Sequence, residues 1–323
     1  MRKKTRKALV VSGGAVPADS YGVSAASSFA SVVGTNGDRT ANFSTQINVG
    51  FDSALSLRSM ISDFFSLRAE DLLFFYTGFG FVNESGGCLL APDYERSGDW
   101  VSIGDLLSHA GKARAANKIV ILDLFPYSNK EALLPGSPRI FIGQGVVLLA
   151  ANRRVEETVD KQHCGAFMAV LLDALRGGAA DLKGDISMAS VYAYIDRALG
   201  ERSPRPLFMT NTSCLSPLRS IEPQVPLCSM KKIVEYFPQP EALYRLDPSF
   251  EASNQIQHSA AAIKPFAIKK NIDIFNHLKK LQGIGLVMPV DASCMYLAAM
   301  DSKACNLTLL GQHYWRLIRN GSL

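Results

Sequence analysis

The stretch Asp71-Leu-Leu-Phe-Phe-Tyr-Thr-Gly-Phe-Gly80 decides the fold. After Asp71, Leu72–Tyr76 form an apolar run of strand length, the pattern of a parallel strand buried on both faces. The run is then expected to empty into a loop, Gly78-Phe79-Gly80. Loops at the carboxyl ends of parallel strands are where α/β proteins place reactive polar groups, and two glycines free the backbone there. A phenylalanine between them can neither take a proton nor ligate a metal.

Outward from this stretch, Ala8–Ser12, Lys118–Leu124, Val146–Ala151 and Leu207–Thr210 read as further buried strands, and Gly87–Pro92 as a small hairpin strand. Ser24–Val33, Leu55–Phe65, Ile103–Ala113, Cys164–Leu175 and Ala189–Leu199 read as helices between them. Strand and helix in alternation argue for a doubly wound α/β sheet. Six prolines punctuate Ser213 to about Ala262, the mark of a long connector. Beyond it, Ile268–Leu281 reads as a helix, Gly285–Val290 and Met295–Ala299 as strands, and Leu309–Asn320 as a closing helix. That order resembles a winged-helix module. The expected division is an α/β domain over 1–214, a connector over 215–262 and a smaller α+β domain over 263–323.

Hydrophobic residues make up 47% of the 323 residues and charged residues 20%, the composition of a soluble globular protein. From Pro226 onward eleven basic side chains face seven acidic ones, so most of the net charge of +5 sits in the last third. That bias suits an acidic partner there. The six cysteines show no CxxC and no zinc-type spacing, so no metal or other cofactor is expected. The apolar stretch after the basic start MRKKTRK is too short for a signal peptide, and no run reaches membrane-spanning length. Reduced thiols in a cytoplasmic protein, with no membrane partner, are the expectation.

Two familiar chemistries lack their residues. Gly13-Gly14 follow the first strand, but neither GxGxxG nor GxxxxGK[ST] is present. Ile121–Ser128 (ILDLFPYS) is similar to the phosphoacceptor region of receiver domains. Its proline sits one place too near the aspartate, and Ser-Gly-Gly replaces the acidic pair that would hold Mg²⁺.

A third comparison spans roughly Lys7 to Thr212. Asp71–Gly80 resembles the D-x-L-x-F-Y-x-S-G-H-G segment of caspase-like cysteine peptidases, especially bacterial metacaspase-like proteins. The strand Ile119–Ser128 occupies the place of their I-L-D-x-C-x-S-G. GGCLLAPD, GVVLLAANR, the segment Gly165–Ile195 and RPLFMTN follow in the family's order. Leu246-Asp-Pro-Ser-Phe-Glu and Leu307–Leu317 also look like segments appended to some bacterial members. The resemblance implies a mostly parallel six-stranded sheet flanked by helices.

In that family a histidine between the two glycines activates a cysteine at the end of the next strand, and backbone N–H groups hold the oxyanion. Carried onto this sequence, Phe79 stands at the histidine position and Phe125 at the cysteine position, and Tyr127-Ser128 replace the Ser-Gly that follows. The resemblance therefore implies a peptidase fold without its catalytic dyad, a binding or regulatory protein with a protein or peptide partner. Gly80 keeps a possible backbone donor. Asp19 and Asp123 match the acids that line the family's pocket for a basic side chain, where a carboxylate pair would hold an arginine; turn capping is the bland alternative. His163 and Cys164 offer a non-family pair, but sequence neighbours point in different directions, so a core cysteine beside a capping histidine is the plainer reading. Ser128 has no evident histidine partner. The family often pairs through its last strand, which makes Leu207–Thr210 a candidate homodimer edge. In the C-terminal module, Lys269, Lys270, Lys279 and Lys280 are candidates for phosphate contacts, with the Asp291–Tyr296 turn as the wing. Nucleic-acid regulation and a peptidase with another nucleophile are the alternatives to the binding protein.

Overall fold

The computed structural model describes residues 5–13, 20–83, 86–127, 141–152, 166–199, 205–213, 216–255 and 262–323. The chain divides into two units, Met1–Glu222 and Pro223–Leu323.

The first unit runs β1 (Arg6–Gly13), α1 (Ser20–Gly34), β2 (Ser44–Val49), α2 (Ala54–Ser66), β3 (Asp71–Asn83), β4 (Gly86–Leu90), α3 (Tyr94–Ser97), β5 (Trp100–Ser102), α4 (Ile103–Lys112), β6 (Asn117–Pro126) and β7 (Val146–Asn152). It continues with α5 (Ala166–Asp173), which passes into a π-helical turn at Ala174–Gly178, then β8 (Asp185–Ile186), α6 (Met188–Leu199), β9 (Leu207–Asn211) and β10 (Arg219–Ser220). Six strands lie in the order β2-β1-β3-β6-β7-β9, all parallel except β9, which runs antiparallel to β7. The expected mostly parallel α/β sheet is present.

The period-2 alternation of the central strands builds two cores. Val10, Leu73, Phe75, Ile121 and Leu149 face α1, α5 and α6, while Leu9, Phe74, Tyr76, Val120, Leu122 and Leu148 face α2 and α4. Helix starts follow from capping: the Ser53 hydroxyl accepts from the Ser56 N–H at 3.2 Å, and Ser102 from the Asp105 N–H at 3.4 Å.

Two expectations need correction. Gly78-Phe79-Gly80 is not a loop, because β3 continues through it to Asn83, paired with β6 on one edge and with the returning strand β4 on the other. The glycines serve close packing as well as backbone freedom. A Cβ on Gly78 would lie 2.6 Å from the Tyr76 hydroxyl, and one on Gly13 would strike the same atom. The buried Tyr76 hydroxyl donates to Leu90 O at 2.7 Å and needs that space.

The second unit comprises α7 (Leu227–Lys231), α8 (Ile233–Tyr236), β11 (Tyr244–Arg245), a 3-10 turn at Pro248–Phe250, α9 (Lys269–Gly283), β12 (Val287–Val290), α10 (Met295–Met300), β13 (Ala304–Leu307) and α11 (Leu309–Arg319). Met295–Ala299 is therefore helical, not a strand: its Met, Leu and Ala residues are good helix formers, and Met295, Ala298 and Ala299 bury one face at helical spacing. The strand that pairs with β12 is β13, which also pairs with β11. The stretch read as a connector holds ordered elements. Arg219 and Ser220 pair with β8, and Phe237, Leu246 and Phe250 are buried within the second unit. The Trp315 indole donates to Phe237 O at 2.7 Å.

Gly13→Ala should destabilise the protein by about 1–3 kcal/mol through overpacking against Tyr76. Urea unfolding tests this, and an unchanged midpoint would show that the space is not needed.

Candidate functional site

The carboxyl ends of β3 and β6 form the candidate site. Parallel register sets Thr77 beside Asp123 and Phe79 beside Phe125. The two phenyl rings lie with centroids 5.9 Å apart, tilted by 56°. Tyr127 meets Phe79 edge-on at 6.2 Å and Tyr94 edge-on at 5.2 Å. Phe81 lies 5.7 Å from Tyr94 and 5.9 Å from the exposed Trp100. These tilted and edge-on contacts have the geometry that aromatic quadrupoles favour, each worth about 0.5–1.5 kcal/mol beyond area burial. A continuous run of six rings thus occupies the sheet end. Neither phenylalanine can accept a proton or attack a carbonyl.

The phenol of Tyr127 lies at the margin of this run, its hydroxyl donating to Glu95 Oε1 at 3.3 Å. Desolvation and the neighbouring Glu95 carboxylate hold it above the ordinary phenol range, so it stays neutral near pH 7. Cys88 packs with Phe81 and Leu90 beside the rings. Its thiol donates to Gly86 O at 3.7 Å and is pushed up to about 11 by burial. A thiol kept protonated is a poor nucleophile.

Beneath the rings a buried polar row crosses three strands. Ser12 pairs in register with Thr77 and Thr77 with Asp123, and the Thr77 hydroxyl donates to Asp123 Oδ2 at 3.0 Å. Asp123 is fully buried. Sequence reasoning singled out Asp123 but missed Ser12 and Thr77, because only the register aligns them. It also missed Tyr94 and Trp100, which reach the site from the short segment after β4.

Gly80 lies within β3, beside Pro126 of β6 and Leu89 of β4. Its carbonyl accepts the Tyr127 N–H at 3.0 Å. Asp19, Ser128, His163 and Cys164 fall outside the described residues. The four lysines lie on α9, in the second unit. Lys269 pairs with Asp273 at 3.0 Å, and Lys279 pairs with Glu251 at 3.3 Å while its ammonium sits 4.4 Å from the centre of the Phe275 ring. Among the described residues, Lys270 and Lys280 have no carboxylate within ion-pair distance. Nearby, the Tyr236 hydroxyl and His277 Nδ1 are 2.8 Å apart, and burial together with Lys232 and Lys280 holds His277 below the usual imidazole range. No group of three or more His, Cys, Asp or Glu side chains among the described residues is placed to hold a metal ion. No described helix is long and apolar enough to cross a membrane.

No protein-family model matches the sequence, and no curated protein does. Among solved structures, pro-sf-caspase-1 is 12% identical, with a TM-score of 0.49 over 66% of this chain and 94% of that one. Caspase-1 from Spodoptera frugiperda is 13% identical, with a TM-score of 0.48 over 68% and 91%. Likeness at this level assigns no role to any residue.

Native alkylation with iodoacetamide at pH 8 should modify the exposed Cys228 while Cys88 and Cys305 stay protected until denaturant is added. Burial pushes these two thiols up to about 11 and about 12. Peptide mass spectrometry reads the order, and Cys88 reacting as fast as Cys228 would contradict the packing described.

Proposed function

We propose that the first unit is a catalytically silent peptidase-type domain of the caspase-like class, acting as a binding or scaffolding protein. The observation that carries this reading is the register pairing of Phe79 with Phe125, the two positions at which the resemblance in sequence requires a histidine and a cysteine. Loss of both nucleophile and base in such a unit costs on the order of a million-fold in kcat. A backbone donor at Gly80 does not restore it, since oxyanion stabilisation needs an attacking group to act upon.

The surface that remains is aromatic. Tyr94, Tyr127 and Trp100 offer large contact area with few rotatable bonds, together with polar tips, the composition of protein-binding hot spots. The partner in this reading is a protein or peptide. A basic side chain reaching for Asp123 would have to displace rings at the next position on the same face of β3 and β6, and Asp123 already accepts the Thr77 hydroxyl. The aromatic surface therefore weighs more in partner choice than the buried carboxylate. β9 is paired only with β7 among the described strands, so the last strand also suits edge-to-edge pairing with a second copy.

Nucleic acid is a less favoured partner. The lysines of α9 are exposed or locally paired, and exposed ion pairs of this kind are worth little either way.

Fluorogenic peptides ending in Arg, Lys or Asp should show no turnover above the buffer blank, with or without Ca²⁺. Hydrolysis that tracks with the purified protein and disappears on a single cysteine or serine substitution would overturn the proposal.

A further inference from the structure

At the opposite end of β6 from the phenylalanines, a cavity of about 520 Å³ is lined by Lys118, Asn117, Gln144, Gly145, Thr212 and Ser213, among others. Its size falls within the roughly 300–1,000 Å³ typical of small-molecule sites. Seven residues of strand separate Lys118 from Phe125, roughly 23 Å at 3.3 Å per residue, so this is not part of the aromatic site.

Lys118 is the unusual member. It is only 4% exposed, and lysine is almost never buried unless paired. Its ammonium donates to Gln144 O at 2.7 Å and to Ala115 O at 3.1 Å. An ammonium carries three N–H donors, and among the described residues no third acceptor and no carboxylate lies within bonding distance. Two neutral carbonyls leave the net charge uncompensated, which burial penalises heavily. The same burial lowers the proton affinity of the amine.

The surroundings are built close around this group. Gly145 has φ +75, and a Cβ there would lie 2.9 Å from Lys118 Nζ. Gly111 and Gly143 touch backbone to backbone, since a Cβ on Gly143 would stand 2.6 Å from Gly111 Cα. The Asn117 amide is already committed to Asp71 at 2.8 Å and Ser216 at 3.2 Å, and Asp71 is held by Arg6 at 2.8 Å. Asp71 thus has its own cation. Thr212 and Ser213 also line the cavity, and the Thr212 hydroxyl lies 3.2 Å from that of Thr210.

The geometry points to a binding site for a small organic anion, one carrying a carboxylate or phosphate group that takes the third N–H of Lys118 and the hydroxyls of Thr212 and Ser213. Among the described lining residues Lys118 is the one cation, which suits a metabolite-sized anion better than a polyanion spread over a surface. An anion bound here would also brace the start of β6 and the loop leading into β7, because Lys118 already ties Ala115 to Gln144.

Isothermal titration of the full chain with sodium phosphate and with sodium succinate, at ionic strength matched by chloride, tests this. The wild type should bind at least one probe saturably at a stoichiometry of one, and which probe binds separates phosphate from carboxylate recognition. Lys118→Met should abolish the heat. Thr212→Val with Ser213→Ala should weaken binding about tenfold, the cost of losing roughly 1–1.5 kcal/mol of hydrogen bonding. If Lys118→Met does not fold, the double variant decides alone. No saturable heat with either probe overturns the proposal, as does binding unchanged in the folded variants.

Discussion

The parallel pairing of β3 with β6, from Asp71 beside Asn117 to Gly80 beside Pro126, is the constraint on which the first unit depends. Both strands are buried on two faces, so a slip of one residue would turn every side chain to the wrong core. The same register acts at three levels along the pair. At one end it brings Asn117 to Asp71 and, through Asp71, to Arg6. In the middle it stacks the apolar layers that face the two helical sides. At the far end it sets Thr77 on Asp123 and Phe79 on Phe125.

Two phenyl rings at a strand end differ from a polar dyad in more than reactivity. A histidine and a thiol at a strand end require hydration or precise partners, whereas rings gain from contact with one another and with Tyr127, Tyr94, Phe81 and Trp100. Below them Ser12, Thr77 and Asp123 lie in register across three strands, and the Thr77 hydroxyl donates to Asp123, so the buried carboxylate is supported within the fold. Tyr76 links this end to the returning strand through Leu90 O, and its burial keeps the phenol far above its ordinary range. The result is a sheet end held by packing and by internal polar bonds.

Much of this was legible in the sequence because buried parallel strands are continuous apolar runs: β1, β3, β6 and β7 announce themselves that way, and the antiparallel, half-exposed β9 shows through its apolar Leu-Phe-Met. β2 was not, since Ser-Thr-Gln-Ile-Asn-Val is a largely exposed edge strand whose polar residues carry no burial signal. The Gly-Phe-Gly segment was misjudged because glycine most often marks a turn, while here it clears room for the Tyr76 hydroxyl. Met-Tyr-Leu-Ala-Ala was too short a run for periodicity to separate strand from helix. Phe79 and Phe125 could be picked out one at a time from the resemblance in sequence, but their pairing with the other rings needed the register and the hairpin of β3 with β4. Lys118 gave no signal, because a lysine at the start of a strand is ordinarily a solvated flank, whereas here it is buried.

The central claim is that this sheet end presents aromatic rings where a peptidase of this class would present a nucleophile and its base. Intact-protein mass spectrometry after incubation with a peptidyl acyloxymethyl ketone bearing a terminal arginine tests it most directly, because such a probe reports an activated thiolate without requiring turnover. The account predicts an unchanged mass at saturating probe. A stoichiometric single adduct, formed by the native protein and prevented by prior denaturation, would contradict it.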